Sequence, residues 1–341
     1  MNIDINEDMI QQTNKNLLEL LLIDRSTKKH IVWATSDYVE QYGGLYSPEC
    51  EITPDLITGA FAATIRPRVT KEKSEQTNRT RDKAEVFTPS WVCNRQNNLV
   101  DEQWFGRQNV FNVAEGDRWK PCKGKIIFPG KAKKSWQDYV RAKRLEITCG
   151  EAPYLVSRYD TVTGIKITDV NKRIGLLDRK LRVINENIDN EQNWMQWVKK
   201  AYQSTYAYEY QGDNLLLARE NLLYTFVDNM LYKFDREPNS NELWQIAYII
   251  SWNIWQMDGL TYTAPYSEIK HEEEYEQLVL FDFEDKEEMT PKDAVPCIIR
   301  DWTNKCYVEF RSLIKRGVNY SERTIFKCFF IQTYIYFQNK R

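Results

Sequence analysis

Histidine is nearly absent from the chain: His30 and His271 are the only two in 341 residues. The seven cysteines (Cys50, Cys93, Cys122, Cys149, Cys297, Cys306 and Cys328) are odd in number and contain no C-x-x-C pair. A structural zinc centre draws its four ligands from closely spaced Cys and His, so no metal site is expected. Free thiols in a reducing cytosol fit this pattern better than a disulfide framework. No apolar run approaches the roughly 20 residues needed to cross a bilayer. The segment "LLELLLI" instead reads as the buried face of a helix over 8–23. The opening "MNIDINEDM" is acidic and polar, unlike a secretory signal, so a cytoplasmic protein with no membrane partner is expected. Charge of one sign is lacking too: 47 Lys and Arg against 49 Asp and Glu give a formal net charge of −2. No global field drives such a chain onto nucleic acid, and any phosphate contact must be local. There is no internal repeat and no long low-complexity linker.

The rest of the composition is that of an ordinary globular protein, with 42% hydrophobic and 28% charged residues, and is rich in planar side chains, with 11 Trp and 20 Tyr. The length suffices for one large domain or two smaller ones. "KHIVWA" (29–34) reads as a strand and "PDLITGAF" (54–61) as a short helix. Residues 66–83 carry seven basic and three acidic residues with almost nothing apolar, which predicts a solvated segment able to follow phosphates. The basic stretch 118–134 is a second such candidate. "KIIFP" (125–129) is a candidate strand, with a helix near 135–143.

From position 144 strands and helices alternate. "LEIT" reads as a strand, 151–160 as the start of a helix, and "RIGLLD" (173–178) as a second strand ending in Asp. Helical patterns follow over 190–202, 214–234 and 240–251; in the second, Leu215, Ala218, Leu222 and Phe226 share one face. "NIWQMDGL" (253–260) reads as a third strand, 271–288 is an acidic block with nine Asp and Glu, and 297–313 reads as a closing hairpin. Such alternation argues for a parallel sheet with its ligand at the carboxyl edge. Gly150 and Ala152 in "CGEAP" are small enough to let a ligand approach the backbone, and Pro153 suits a first helical turn. Asp178 and Asp258-Gly259, at the ends of the next strands, would place carboxylates in the same crevice. Taken singly, each feature is better read as a buried strand with a tight exit, or as an Asp that caps a turn; it is their combination that points to a nucleotide-like cofactor.

Together these residues resemble the adenine-specific DNA methyltransferases of restriction–modification systems. "LEITCGEAPYL" (145–155) is similar to that family's first motif, with Ala152 standing where a second glycine is usual. "AEVFTPSWV" (84–92) resembles the acidic-Phe-Thr-Pro motif that precedes it in one circular order. "RIGLLDRKLRVI" (173–184) resembles the second motif and "NIWQMDGL" the third, and the likeness covers roughly residues 80–262. It implies a Rossmann-like S-adenosylmethionine-dependent fold: an α/β domain over 81–315, an α+β extension over 1–80, a helical insertion around 190–251 and a tail over 316–341. It also implies S-adenosylmethionine as cofactor. Thr88 and Pro89 would contact the methionine carboxylate and Glu146 the amino group. Cys149, Gly150, Glu151 and Ala152 would border the methionine moiety, Asp178 the ribose, and Asp258 with Gly259 the adenine amine. Double-stranded DNA is the implied substrate, with a second methyltransferase subunit and a restriction endonuclease as further partners. The family's Asn/Asp-Pro-Pro-Tyr/Phe catalytic loop is missing; "LTYTAPYSE" (260–268) keeps only Ala264-Pro265-Tyr266. Either the chain is the cofactor-binding part of a split enzyme, or it is an inactive methyltransferase-like binding or assembly subunit.

Overall fold

The computed structural model describes residues 7–83, 88–268 and 294–316. In chain order, α1 (Glu7–Thr13), α2 (Lys15–Leu22), α3 (Val39–Tyr42) and α4 (Lys73–Lys83) precede α5 (Ser90–Phe105) and the hairpin β1 (Asn112–Glu115) and β2 (Arg118–Pro121). Then come α6 (Trp136–Arg141), β3 (Arg144–Glu146), α7 (Leu176–Asn187), α8 (Glu191–Gln203) and β4 (Thr205–Glu209). The chain continues through α9 (Gly212–Phe234), α10 (Ser240–Asn253), β5 (Ile254–Gln256), β6 (Ile298–Asp301), β7 (Cys306–Glu309) and α11 (Phe310–Arg316).

The architecture is mixed α/β, centred on a three-stranded parallel sheet in the order β3-β4-β5. Parallel strands need long crossovers, and here α7–α8 and α9–α10 supply them. Among the described residues the strand order follows the chain without reversal, and the remaining strands form two antiparallel hairpins, β1–β2 and β6–β7. The two-residue period of a strand divides the sheet between two cores. Ala207 and Ile254 join the larger cluster, with Leu177, Leu181, Trp194 and Phe226 from the helices. Tyr206, Tyr208 and Trp255 point the other way, onto Cys297, Ile299 and Phe310. The larger cluster also takes in Ile10, Leu18, Trp33 and Ile52, so the first sixty-odd residues share the main core.

The helices α8, α9 and α10, the short α6, β3 and β5, and the closing hairpin fall where the sequence predicts them; α5, α7, β4 and several short elements do not. The "second strand" 173–178 leads into the first turn of α7, and Leu177, Leu181, Ile184 and the C-cap Ile188 recur at helical spacing and are all buried. Gly175 begins it because nothing larger fits: a Cβ there would lie 2.2 Å from the Leu155 carbonyl oxygen. Residues 151–160 form turns in place of a helix, and 125–129 forms no strand. "KHIVWA" contributes only isolated bridges, and 54–61 only short 3-10 turns. The stretch 190–251, expected to be a helical insertion, contains β4, the middle strand of the sheet. The acidic block 271–288, the tail 317–341 and "AEVF" (84–87) lie outside the described residues.

Candidate functional site

The three parallel strands end on one edge, and the chain leaving β3 there is strained. Thr148, Gly150 and Ala152 all have positive φ (45°, 52° and 62°). For Thr, which is β-branched, this region is costly, and strain of this kind gathers at functional sites. Left-handed residues alternating along a turn point successive amides into a shared concavity. The Cys149 amide extends the ladder by donating to Tyr208 O (2.9 Å). The Gly150 amide donates to Glu209 Oε2 at 2.7 Å, tying the loop after β3 to the last residue of β4. Met257 N in turn donates to Glu209 O (3.0 Å), which brings Asp258 and Gly259 to the same edge. A Cβ on Gly259 would touch the Tyr208 ring at 3.4 Å.

Two buried carboxylates bracket the strained loop. Glu146, at the end of β3, accepts from the amides of Tyr154 (3.2 Å) and Leu155 (3.1 Å). Burial, countered by those bonds but reinforced by the Glu209 charge, holds its carboxyl well above the usual range. Glu209 accepts from Gly150, Tyr210 and Gln211 amides and is likewise raised, chiefly by burial. Neither carboxylate has an ion-paired cation among the described residues. Burial, with the Glu146 and Glu209 charges, also pushes the Cys149 thiol well up, so it stays protonated.

Thr88 and Pro89 reach this region through the start of α5. Ser90 N donates to Asp160 Oδ2 (2.7 Å), and Thr161 Oγ1 to Thr88 O (3.1 Å). Asn97, further along α5, donates to Tyr154 O (3.0 Å). Glu151 is occupied structurally, accepting from Arg68 N (2.7 Å) and the Tyr159 hydroxyl (2.5 Å).

Asp178 is placed differently from the expectation. It is not at a strand end but in the first turn of α7, where Oδ2 accepts from Gly175 N (3.0 Å), Ser157 N (2.8 Å) and Ser157 Oγ (3.0 Å). It closes a helix start and secures the loop behind the crevice. The acidic strand end that sequence reading missed is Glu209. Its signal was present in "TYAYEYQGDN", an aromatic run ending in Glu, with Gly-Asp opening the long helix α9.

The amino-terminal region walls this edge. Gln256 grips Val32 by both backbone groups (2.9 and 2.8 Å) and the Tyr210 carbonyl (2.8 Å). Gly212 N donates to Trp33 O at 3.0 Å, and a Cβ on Gly212 would lie 2.1 Å from Val32 O. Beside it Asp213, fully buried, pairs with Arg79 (2.9 Å) and Lys71 (3.4 Å) and accepts from the Tyr38 hydroxyl (2.7 Å). Those cations outweigh its burial and hold its carboxyl well below the usual range. Two basic residues of the segment 66–83 are therefore committed inside the molecule, not offered to phosphates.

Ala264-Pro265-Tyr266 follows Asp258 closely. Tyr266 is exposed, has φ +53° and hydrogen-bonds Tyr210, the residue after β4. Among the described residues no group of three or more His, Cys, Asp or Glu is placed to hold a metal ion, and no helix is long and apolar enough to cross a membrane. Comparison with protein-family models, curated proteins and solved structures finds no match for the chain.

Proposed function

We propose that the carboxyl edge of β3-β4-β5 binds S-adenosylmethionine, and that the chain is the cofactor-binding part of an adenine-N6 DNA methyltransferase on a Rossmann-like scaffold. In this reading it is a modification subunit of a restriction–modification system. One observation carries the reading: Glu146 and Glu209 are buried on either side of the 148–155 loop without a cation. A ligand bearing a sulfonium and an ammonium would supply the positive charge that these two carboxyl groups lack among the described residues.

On this reading Glu209 takes the ribose hydroxyls, the role that the motif likeness gave to Asp178. Gly150, without a Cβ, admits the methionine moiety to the backbone. Thr88 and Pro89, at the start of α5, receive its carboxylate, and Asp258 accepts from the adenine amine. When bound, the cofactor would supply an activated methyl group; the chain's own residues bind and orient it and keep water from its charged centre. Among the described residues that follow Asp258, Tyr266 offers an exposed aromatic ring that could stack on a target base. The Asn-Pro-Pro acceptor of the amine's hydrogen bonds is missing, so methyl transfer to double-stranded DNA requires a second subunit to bring it. A restriction endonuclease would join the same assembly.

The absent acceptor also favours a second reading, an inactive methyltransferase-like subunit that binds DNA or protein. Calorimetric titration with S-adenosylmethionine tests the common part: saturable binding, weakened at least about tenfold by Glu209→Gln, is expected, and no binding heat refutes both cofactor roles. Tritiated-methyl transfer to duplex DNA, with and without the product of the adjacent downstream reading frame, separates the two. Transfer only with that partner supports the split enzyme, and cofactor binding without transfer supports the inactive subunit.

A further inference from the structure

At the opposite edge of the parallel sheet, where α6, α8 and α10 lead into β3, β4 and β5, cations and aromatic rings alternate. Trp244, Tyr248 and Trp252 recur every fourth residue of α10 and so share one face. Trp244 and Tyr248 stack with centroids 5.3 Å apart and planes at 14°. Trp252 stacks on Tyr307 of the β6–β7 hairpin at 4.8 Å and 24°. Arg25 lies over Tyr248 and Trp252 at 5.0 and 5.2 Å, and Arg300 lies over Trp302 at 4.2 Å while donating to the Tyr248 hydroxyl (2.8 Å). A second group stands on α8, where Arg141 and Lys200 lie over Trp197 at 4.7 and 4.1 Å beside Trp136. Lys199 joins the two helices between these groups by donating to Gln245 Oε1 (3.0 Å).

Direct carboxylate partners for these cations are what this face lacks among the described residues, although Asp24 is near enough to act on Arg25. Among the described residues, none of Arg25, Arg141, Lys200 and Arg300 ion-pairs with a carboxylate, whereas Arg79, Arg158, Arg173 and Arg236 all do. Like charges are instead held close. Arg25 is lowered chiefly by burial, opposed by Tyr248, Tyr307 and Asp24 and reinforced by Arg300, and Lys200 is lowered by burial and then Arg141. Cations folded over rings can simply cover apolar surface. That purpose requires neither two pairs of like charges nor ring faces left open, yet Trp244 is 42% and Tyr307 61% exposed.

We propose that this face binds single-stranded nucleic acid, with phosphates against the four unpaired cations and bases stacked on the open rings. Phosphates supply the missing anions, and every base has a π-face for Trp244 or Tyr307 to meet. An acidic protein segment would answer the charges but leave the rings without partners. The face lies at the other end of the strands from Gly150 and Glu209, so it holds a strand and does not present a base for modification. It stands independently of the cofactor reading.

Fluorescence anisotropy of labelled oligo(dT) of about 20 nucleotides, titrated with the full chain between about 50 and 200 mM salt, tests this. Expected are tighter binding than to a duplex of equal length, quenching of tryptophan emission, and a log–log salt slope near −3 from four phosphate contacts at about −0.7 each. Trp244→Ala, an exposed site, should weaken binding about tenfold with an unchanged melting temperature. Arg300→Ala with Lys200→Ala should reduce the slope by about 1.4. No binding, binding equal in the Trp244 variant, equal affinity for duplex, or displacement by polyglutamate without change in tryptophan emission would each overturn the proposal. No methyl donor is present, so the result bears on this face alone.

Discussion

The Gly150 amide donates to the Glu209 carboxylate at 2.7 Å and so joins the loops that leave two neighbouring parallel strands. Asp178 lies in the first turn of α7, where Oδ2 accepts from Gly175 and Ser157 and Oδ1 is buried without a hydrogen-bond partner. The two acids should separate cleanly on mutation. Glu209→Gln should weaken S-adenosylmethionine binding at least about tenfold, roughly 1.4 kcal/mol, measured well below the melting temperature because its NH2 also leaves a buried amide without an acceptor at about 1–3 kcal/mol of stability. Asp178→Ala should cost about 1–3 kcal/mol of stability and leave affinity unchanged well below its melting temperature. Calorimetry and urea denaturation of both variants check this; the reverse pattern would return the ribose role to Asp178.

Asp213 neutralises Lys71 and Arg79 inside the molecule. Asp213→Ala would remove the fully buried carboxylate that both cations share, leaving Arg79 on the half-buried Asp37 (2.8 Å) and Lys71 on Glu75 (3.9 Å), and should cost about 3 kcal/mol, read from urea midpoints. Its folded carboxyl lies below the unfolded value, so its contribution is complete above about pH 4 and is lost as pH falls further. The variant should therefore lose stability less steeply than the wild type on acidification.

Glu7 carries the opposite sign. Burial raises it from 4.5 to about 7, and Glu220, fully buried with both carboxylate oxygens unbonded, lies close enough to couple to it. The folded state holds the proton more tightly. The stability this gives is present below about pH 4.5 and is lost as pH rises through about 7. Glu7→Gln should flatten that decline, gaining roughly 2–3 kcal/mol over the wild type at pH 8 relative to pH 5. Denaturation midpoints at the two values decide it.

Thr148 holds a left-handed backbone beside the proposed ligand. Thr148→Gly should stabilise the protein by about 1 kcal/mol in thermal melts, because glycine removes the Cβ clash at this φ. A lower melting temperature would show that the Thr148 side chain contributes more than its strain costs.

Long periodic segments made the helices legible: Leu215, Ala218, Leu222 and Phe226 announce α9 by spacing alone, and all are buried. β4 was hidden because its five residues are buried without alternation and sit between two helical patterns. At 173–178 the apolar pair Leu176-Leu177 ahead of an acid imitates a strand end, and the helical spacing emerges only further on, at Leu181 and Ile184. The misplaced acid followed from that, and Glu209 went unseen with its strand. Nor does any local pattern reveal that Arg79 and Lys71, in a stretch so polar, turn inward to Asp213. Their partner is fixed by tertiary proximity, not by neighbours in the chain.

The grip of Gln256 on Val32 has a practical corollary for anyone trimming the polypeptide. A fragment beginning at residue 81 would leave the Gln256 amide with only Tyr210, uncover the tight seat of Gly212, and abandon Asp213 as a bare charge in an apolar setting. Such a truncation should yield an insoluble product, even though every motif that resembles a methyltransferase lies within it.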